Sequence, residues 1–442
     1  MSLTPPLKVG KLQTALHTKA KNLPDYRFYA LYDKVYRRDV LAFAYVRCLN
    51  NGGVPGVDGQ SFDDIEKSGR DQWLDELAEE LRNGTYQPQP VRRVYIPKAD
   101  GKPRPLGIPC IRDRVVQTAV MLVLEPIFEA DLEPEQHAYR PGRSALDAVR
   151  LVERLIRSGH TEVVDADLSG YFDSIPHAEL MKSLSRRISD GRVLRLIKMW
   201  LEAPAEETDG KGNRHRTTRN KDQGIGSPQG APISPLLANV YMRRFIKGWK
   251  TGGHEKRLEA RIVNYADDFV ICCRGTADAA MNVMRTMMSK LKLTVNEQKT
   301  RLCRLPAGTF DFLGYTLGRN YDCRTGESYL GPRPAQTKID RLCGAITELT
   351  ERRTAWRDVE ELIGRINRKL RGWSNYFRLG TIRKAYRNID SHTRYRVRQW
   401  LCAKFKVRGQ GVKRFSDQYL HRKLGLYQLQ RTSRQRFVGE RV

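Results

Sequence analysis

Apolar residues along the chain change their spacing several times, and each spacing predicts a kind of element. From residue 26 to about 86 the pattern predicts helices around a turn, because Asn50 to Gly59 is too rich in glycine for regular structure. Trp73, Leu74, Leu77 and Leu81 then recur at helical spacing. Residues 91–96 and 105–108 flank Asp100-Gly101, a dipeptide that marks a two-stranded hairpin. Short β-branched runs at 162–168 and 262–271, bounded by polar turns, predict strands, while 115–124 and 281–291 predict helices. Strands mixed with helices, without a regular βαβ repeat, predict an α+β fold class. Near the C-terminus Leu362, Ile363, Ile366, Leu370 and Trp373 keep 3- and 4-residue spacing. Arg365, Arg368 and Lys369 fall on other faces, so an amphipathic helix with a basic exterior is expected there.

Composition narrows the class. The 442 residues are 40% hydrophobic, 29% charged and 9% aromatic, which excludes collagen-like, low-complexity and wholly disordered chains. No stretch approaches the roughly 20 apolar residues of a membrane span, so no membrane partner is expected. The first thirty residues hold no apolar signal core, so a cytoplasmic address is expected, nucleoid-associated when the protein acts on DNA. Eight cysteines form no C-x-x-C half-site and are expected to be reduced structural thiols. The formal charge is +29, and residues 331–442 hold 28 Lys plus Arg against nine Asp plus Glu. Nucleic acid is the partner such a field attracts. The shift in character near Gly331-Pro332-Arg333-Pro334 predicts a domain boundary.

The sharpest chemical feature is acidic. Tyr265-Ala266-Asp267-Asp268 lies between apolar strand residues, where adjacent carboxylates repel unless a cation or basic groups compensate them. A second cluster holds Asp165, Asp167 and Asp173, and strand alternation puts Asp165 and Asp167 on one face. Carboxylates meeting at strand ends suit two divalent cations in phosphoryl transfer. The same carboxylates also suit helix caps or arginine partners, and spacing alone does not decide between these uses.

The surrounding blocks do decide. IPKADGKPRPLGIP at 96–109, HAYRPGRSALDAV at 137–149, DLSGYFDSI at 167–175, GSPQGAPISPLLANVY at 226–241, YADD at 265–268, NEQKT at 296–300 and FLGY at 312–315 stand in one order. Together they resemble the reverse transcriptase/maturase encoded by bacterial group II introns. The resemblance implies a right-hand polymerase fold: an N-terminal extension over 1–85, fingers and palm over 86–330, a thumb or maturase domain over 331–392, and a basic helical DNA-binding region over 393–442. It implies that Asp167, Asp267 and Asp268 are the catalytic carboxylates and that they bind two Mg²⁺ ions. Lys98 and Arg104 match positions that grip the incoming triphosphate. Phe172 matches an aromatic that favours deoxynucleotides by clashing with a 2′-hydroxyl. Gln229 and Gly230 match a nucleotide-pocket loop, where the glycine allows close backbone approach. Lys299 matches a residue assisting proton transfer to pyrophosphate, and Arg140 and Arg143 match template contacts. His137-Ala138-Tyr139 departs from the family's Phe-Gly-Phe, which weakens the case for template stacking there.

For the C-terminal region, the resemblance implies nucleic-acid contacts from Arg365, Arg368 and Lys369 and from the stretch Arg394, Arg396, Arg398, Lys404, Lys406 and Arg408, interleaved with Tyr395, Trp400 and Phe405. The implied partners are group II intron RNA, an RNA template with a DNA primer, target DNA and dNTPs. The His-Asn-His nuclease with paired cysteines that many relatives carry is missing here, so the primer is expected from a nick, a replication fork or another enzyme. Splicing assistance and copying of the intron during retrohoming are the implied functions. The alternatives are a free-standing reverse transcriptase recruited to CRISPR or phage defence, and an RNA-binding maturase that makes no cDNA.

Overall fold

The computed structural model of the chain describes residues 3–97, 103–209, 213–322 and 325–430. The Asp100-Gly101 turn and Lys98 lie outside the described residues. The chain divides into two compact units. The first comprises Met1–Ser144, Ala166–Phe269 and Asp278–Arg301; the second comprises Ala145–Asp165, Val270–Ala277 and Leu302–Val442. Among the described residues, no helix is long and apolar enough to cross a membrane.

In the first unit the helix Ile111–Glu129 is buried almost all round, including Asp113, Arg114, Gln117 and Thr118. Such a helix needs partners for its polar groups. Tyr86 Oη donates to Asp113 Oδ1 (2.6 Å), Trp200 Nε1 donates in turn to Tyr86 Oη (3.1 Å), and Arg114 Nε donates to the Pro109 carbonyl (2.9 Å). Burial pushes the Asp113 carboxyl up to about 6. The expected hairpin forms from Val91–Pro97 and Pro103–Ile108 in antiparallel register, with Val94 opposite Leu106. Ala205–Thr208 pairs parallel to its first strand, and Arg214–Thr217 completes the four-stranded sheet.

The helix Leu7–Asn22 was not readable from apolar periodicity, since it buries only Val9, Leu16 and Ala20. Polar ties hold it instead. Gln13 Nε2 donates to the Leu122 carbonyl (3.0 Å), His17 Nδ1 meets the Pro126 carbonyl (3.0 Å), and Arg187 donates to the Ala20 (2.7 Å) and Leu23 (2.9 Å) carbonyls.

The strand run expected at 162–168 ends earlier, as Glu162–Ala166, and the run at 262–271 is two strands, Ala260–Tyr265 and Asp268–Cys273.

In the second unit the Gly331-Pro332-Arg333-Pro334 cluster is no linker. It lies in the strand Ser328–Pro334, which pairs antiparallel with Tyr315–Tyr321 over seven residue pairs. Proline fits because this is an edge strand of the three-stranded sheet. Three helices follow, Gln336–Leu349, Val359–Tyr376 and Arg383–Lys404. The middle helix starts at the expected Val359; Asp358 caps it, accepting from the Glu361 N–H (3.0 Å), and Leu362, Ile363, Ile366 and Leu370 are buried. These helices share one core with Ile389, Val397, Trp400, Leu420, Leu426 and Leu429. The division expected at 392 therefore falls inside the helix Arg383–Lys404 and its continuous core.

Candidate active site

The acidic motifs sit where strands end, and local backbone chemistry explains why. Glu162–Ala166 stops one residue before Asp167, and Asp267 occupies the tight turn that joins Ala260–Tyr265 to Asp268–Cys273. Ala266 takes a positive φ of 58° to make that turn, and its carbonyl accepts from Asn264 Nδ2 (2.8 Å). The Asn264 backbone is tied to the segment before Arg140: its N–H donates to the Glu135 carbonyl (3.0 Å), and the His137 N–H donates to its carbonyl (3.0 Å). Asp267 is half-buried and Asp268 exposed.

Asp167 is held from a different side. The Asn296 N–H donates to its carbonyl (2.8 Å), Asn296 Nδ2 donates to its Oδ2 (2.9 Å), and its own N–H donates to Thr300 Oγ1 (3.3 Å). Lys299 Nζ lies 3.6 Å from the same Oδ2 with 62% of its side chain exposed. Thus the block expected to contribute only Lys299 also fixes a motif carboxylate through Asn296 and Thr300. Sequence reasoning missed both, although their place in one short block with Lys299 was a usable signal.

Asp167, Asp267 and Asp268 line one cleft of about 880 Å³, together with Phe172, Gln229, Gly230 and Lys299. The loop 226–230 is bound to the segment after Asp167. Ser227 N–H donates to the Phe172 carbonyl (2.7 Å), Gly226 N–H to the Ile175 carbonyl (2.9 Å), and Gln229 Nε2 to Asp173 Oδ2 (2.8 Å). Gly230 has φ +110°, and a Cβ there would lie 2.6 Å from the Gly107 carbonyl oxygen. The close approach its glycine permits is therefore to the hairpin backbone, where Gly107 N–H donates to the Gln229 carbonyl (2.6 Å). Beneath the site Tyr171 is buried and donates to the Ala238 carbonyl (2.7 Å). Burial raises its phenol well above the ordinary range, with Tyr241 and then Asp267 adding to the rise.

Arg104 stands on the strand Pro103–Ile108 opposite Ile96, its side chain lying outside the described part. Arg140 is turned inward with 6% of its side chain exposed; it pairs with Glu129 (2.7 Å) and donates to the Glu133 (2.7 Å) and Gln136 (2.8 Å) carbonyls. Its guanidinium braces the turn instead of facing a template. Arg143 is exposed. Of the His137-Ala138-Tyr139 departure, His137 is buried, whereas Tyr139 is 52% exposed and lines the cleft.

The three carboxylates form an all-oxygen donor set at strand ends, which suits hard divalent cations. Among the described residues no three His, Cys, Asp or Glu side chains already converge on one cation position. The fit therefore rests on donor chemistry and on a shared cleft.

In the second unit the expected nucleic-acid contacts sort into two kinds. Arg394 pairs with Asp417 (3.5 Å), and Arg398 donates to that carboxylate and to the Phe415 carbonyl (2.9 Å). Arg396 donates to the Thr347 (3.3 Å) and Thr350 (3.1 Å) carbonyls, and Lys404 to the Ala355 (3.1 Å) and Arg357 (2.7 Å) carbonyls. These four cations find their partners inside their own unit, and Arg396, Arg398 and Lys404 satisfy carbonyls at helix and turn ends. Arg365 pairs with Glu361 (2.7 Å) on the helix surface. Arg368, Lys369, Lys406 and Arg408 are exposed, the first two along a shallow groove beside Lys338, Arg341 and Trp373.

Comparison with known proteins gives two family matches. Residues 96–317 match the family described as reverse transcriptase (RNA-dependent DNA polymerase), and residues 339–420 match the maturase-specific domain of group II introns. The chain is 34% identical to Protein YkfC of Escherichia coli (strain K12), covering 77% of this chain and 96% of that protein. It is 28% identical to the group II intron-encoded protein LtrA of Lactococcus lactis subsp. cremoris, covering 72% of this chain and 60% of that one. Among solved structures, telomerase from Candida albicans aligns at 13% identity with a TM-score of 0.43, over 78% of this chain and 69% of that one.

Proposed function

This chain belongs to the reverse transcriptase/maturase family of group II introns, an RNA-directed DNA polymerase family with a right-hand fold, and on that premise we propose how it works. It extends a DNA primer on an RNA template with dNTPs, and binds group II intron RNA to assist splicing and to copy it into target DNA. Asp167, Asp267 and Asp268 would hold two Mg²⁺ ions, which when bound stabilise the attacking and leaving oxygens of nucleotidyl transfer. The single observation that carries the reading is that these three carboxylates, reached from separate sequence blocks, line one cleft with Phe172 and the 227–230 loop.

The chain's own groups supply orientation. Asn296 and Thr300 fix Asp167, so its carboxylate faces the cleft without a search over rotamers. Lys299, exposed and beside Asp167, neutralises phosphate charge on the pyrophosphate side, a role its 3.6 Å distance from Asp167 Oδ2 supports. Phe172 presents its half-buried ring to the sugar of the incoming nucleotide, and Lys98 and Arg104 match the family positions that grip its triphosphate. Gln229, held by Asp173, positions the loop wall against which that nucleotide rests.

Primer extension on a primed RNA template with Mg²⁺ and dNTPs tests the assignment. The wild type extends the primer, and the Asp267→Asn, Asp268→Asn double variant falls to background. Wild-type synthesis by the double variant sinks the carboxylate assignment.

A further inference from the structure

The turn between the helices Gln336–Leu349 and Val359–Tyr376 carries Trp356, whose 77% exposure is the highest of any large hydrophobic side chain among the described residues. A single exposed apolar residue is ordinary on a mobile loop. This turn is instead pinned along its length. Thr354 Oγ1 donates to the Glu351 carbonyl (2.7 Å), and the Ala355 and Arg357 N–H groups close back on the Arg352 (3.1 Å) and Thr354 (3.0 Å) carbonyls. From the helix Arg383–Lys404, Arg396 grips Thr350, Trp400 Nε1 donates to Thr354 Oγ1 (3.0 Å), and Lys404 Nζ donates to the Ala355 and Arg357 carbonyls. Three long side chains thus hold an indole out in water.

Its surroundings are cationic. The Arg357 guanidinium lies 5.6 Å from the indole centre, and Arg352 and Arg353 are exposed on the same turn. Of the nearby carboxylates, Glu351 pairs with Arg353 and Asp358 is occupied in capping the next helix. A rigid aromatic flanked by arginines matches an unpaired base with its phosphates, because every base offers a π-face and the backbone supplies the anions. A base pair inside a duplex offers no free face.

We propose that Trp356 is a stacking site for an unpaired nucleotide of bound RNA, with Arg352 and Arg353 contacting the adjoining phosphates. This rests on the reading of the chain as a nucleic-acid enzyme and adds a defined contact outside the polymerase cleft. Pre-paid ordering of the turn is what makes one stacked base contribute measurable affinity.

The test uses the full chain and a single-stranded RNA of about 12 nucleotides, compared with a duplex RNA of the same length. Trp356→Ala weakens single-stranded RNA binding by about 5- to 100-fold, and Trp356→Phe restores most of it. Duplex binding is unchanged. Arg352→Gln and Arg353→Gln each lower the salt dependence of single-strand binding by about 0.7 in log–log slope. Equal single-strand affinity in wild type and Trp356→Ala overturns the proposal, as does an equal loss for duplex. A shift in oligomeric state on Trp356→Ala, with RNA affinity intact, overturns it by placing a second copy on the indole. Primer extension by the wild type is read separately, so failure of the polymerase reading is distinguishable from failure of this site.

Discussion

The polymerase cleft and the basic helical unit use charged residues in opposite ways. In the cleft a few carboxylates stand at strand ends and are kept facing open space by backbone and amide hydrogen bonds, as Asn296 and Thr300 do for Asp167. In the helical unit, charge is abundant, yet Arg394, Arg396, Arg398 and Lys404 are turned back to satisfy carbonyls and Asp417. Charge density along a sequence therefore overstates the charge that a surface presents. A short motif whose chemistry needs exposed groups is the better guide to a site. The difference is energetic: helix and turn ends leave carbonyls that need donors, and the nearest long cations supply them before any ligand does.

The largest expected effect probes that claim directly. Arg396→Gln with Lys404→Met removes charge-assisted hydrogen bonds to four carbonyls, one in the last turn of Gln336–Leu349 and three in the turn that follows it, and lowers stability by about 2–3 kcal/mol. In thermal unfolding the midpoint drops by about 5 °C or more. An unchanged midpoint combined with a lower salt slope for RNA would mean that these residues are phosphate contacts after all, and the contrast between the two regions would break.

Next in size is Gly230→Ala in the cleft. Its φ of +110° and the 2.6 Å approach of a Cβ to the Gly107 carbonyl oxygen force the loop off the hairpin. Strain of this kind costs about 1–2 kcal/mol per residue, so primer extension slows about tenfold while the fold survives. The comparison sharpens if nucleotide KM rises more than kcat falls, because the loop wall is what moves. Wild-type kinetics would show that the glycine is not needed for this approach.

What the sequence made legible follows the same divide. The motif aspartates were picked out by the resemblance of their blocks to a known family, whereas the hairpin and the helix starting at Val359 were readable because each depends on local spacing. Three features were not. The helix Leu7–Asn22 has too few buried positions to show a period, and is held by Gln13, His17 and Arg187 across long sequence separations. Gly331 to Pro334 read as punctuation, yet an edge strand tolerates proline. Arg140 matched a template contact, and only the fold brings Glu129 and two carbonyls to its guanidinium. In each case the deciding partner is distant in the chain, or is a backbone group that residue identity does not reveal.

The smallest effect belongs to Lys406 and Arg408, the two cations of the stretch that remain exposed at the end of the helix Arg383–Lys404. Being solvated, they contribute little to folding, and surface substitutions of this kind change stability by less than about 0.5 kcal/mol. Their value lies in counterion release. Lys406→Gln with Arg408→Gln leaves the thermal midpoint where it was and lowers the log–log salt slope of RNA binding by about 1.4, two phosphate contacts at about 0.7 each. Set beside the Arg396 and Lys404 pair, this gives two double variants of equal charge change with opposite signatures, one in stability and one in salt dependence. If both pairs moved both quantities alike, exposure would not be what separates a strut from a contact.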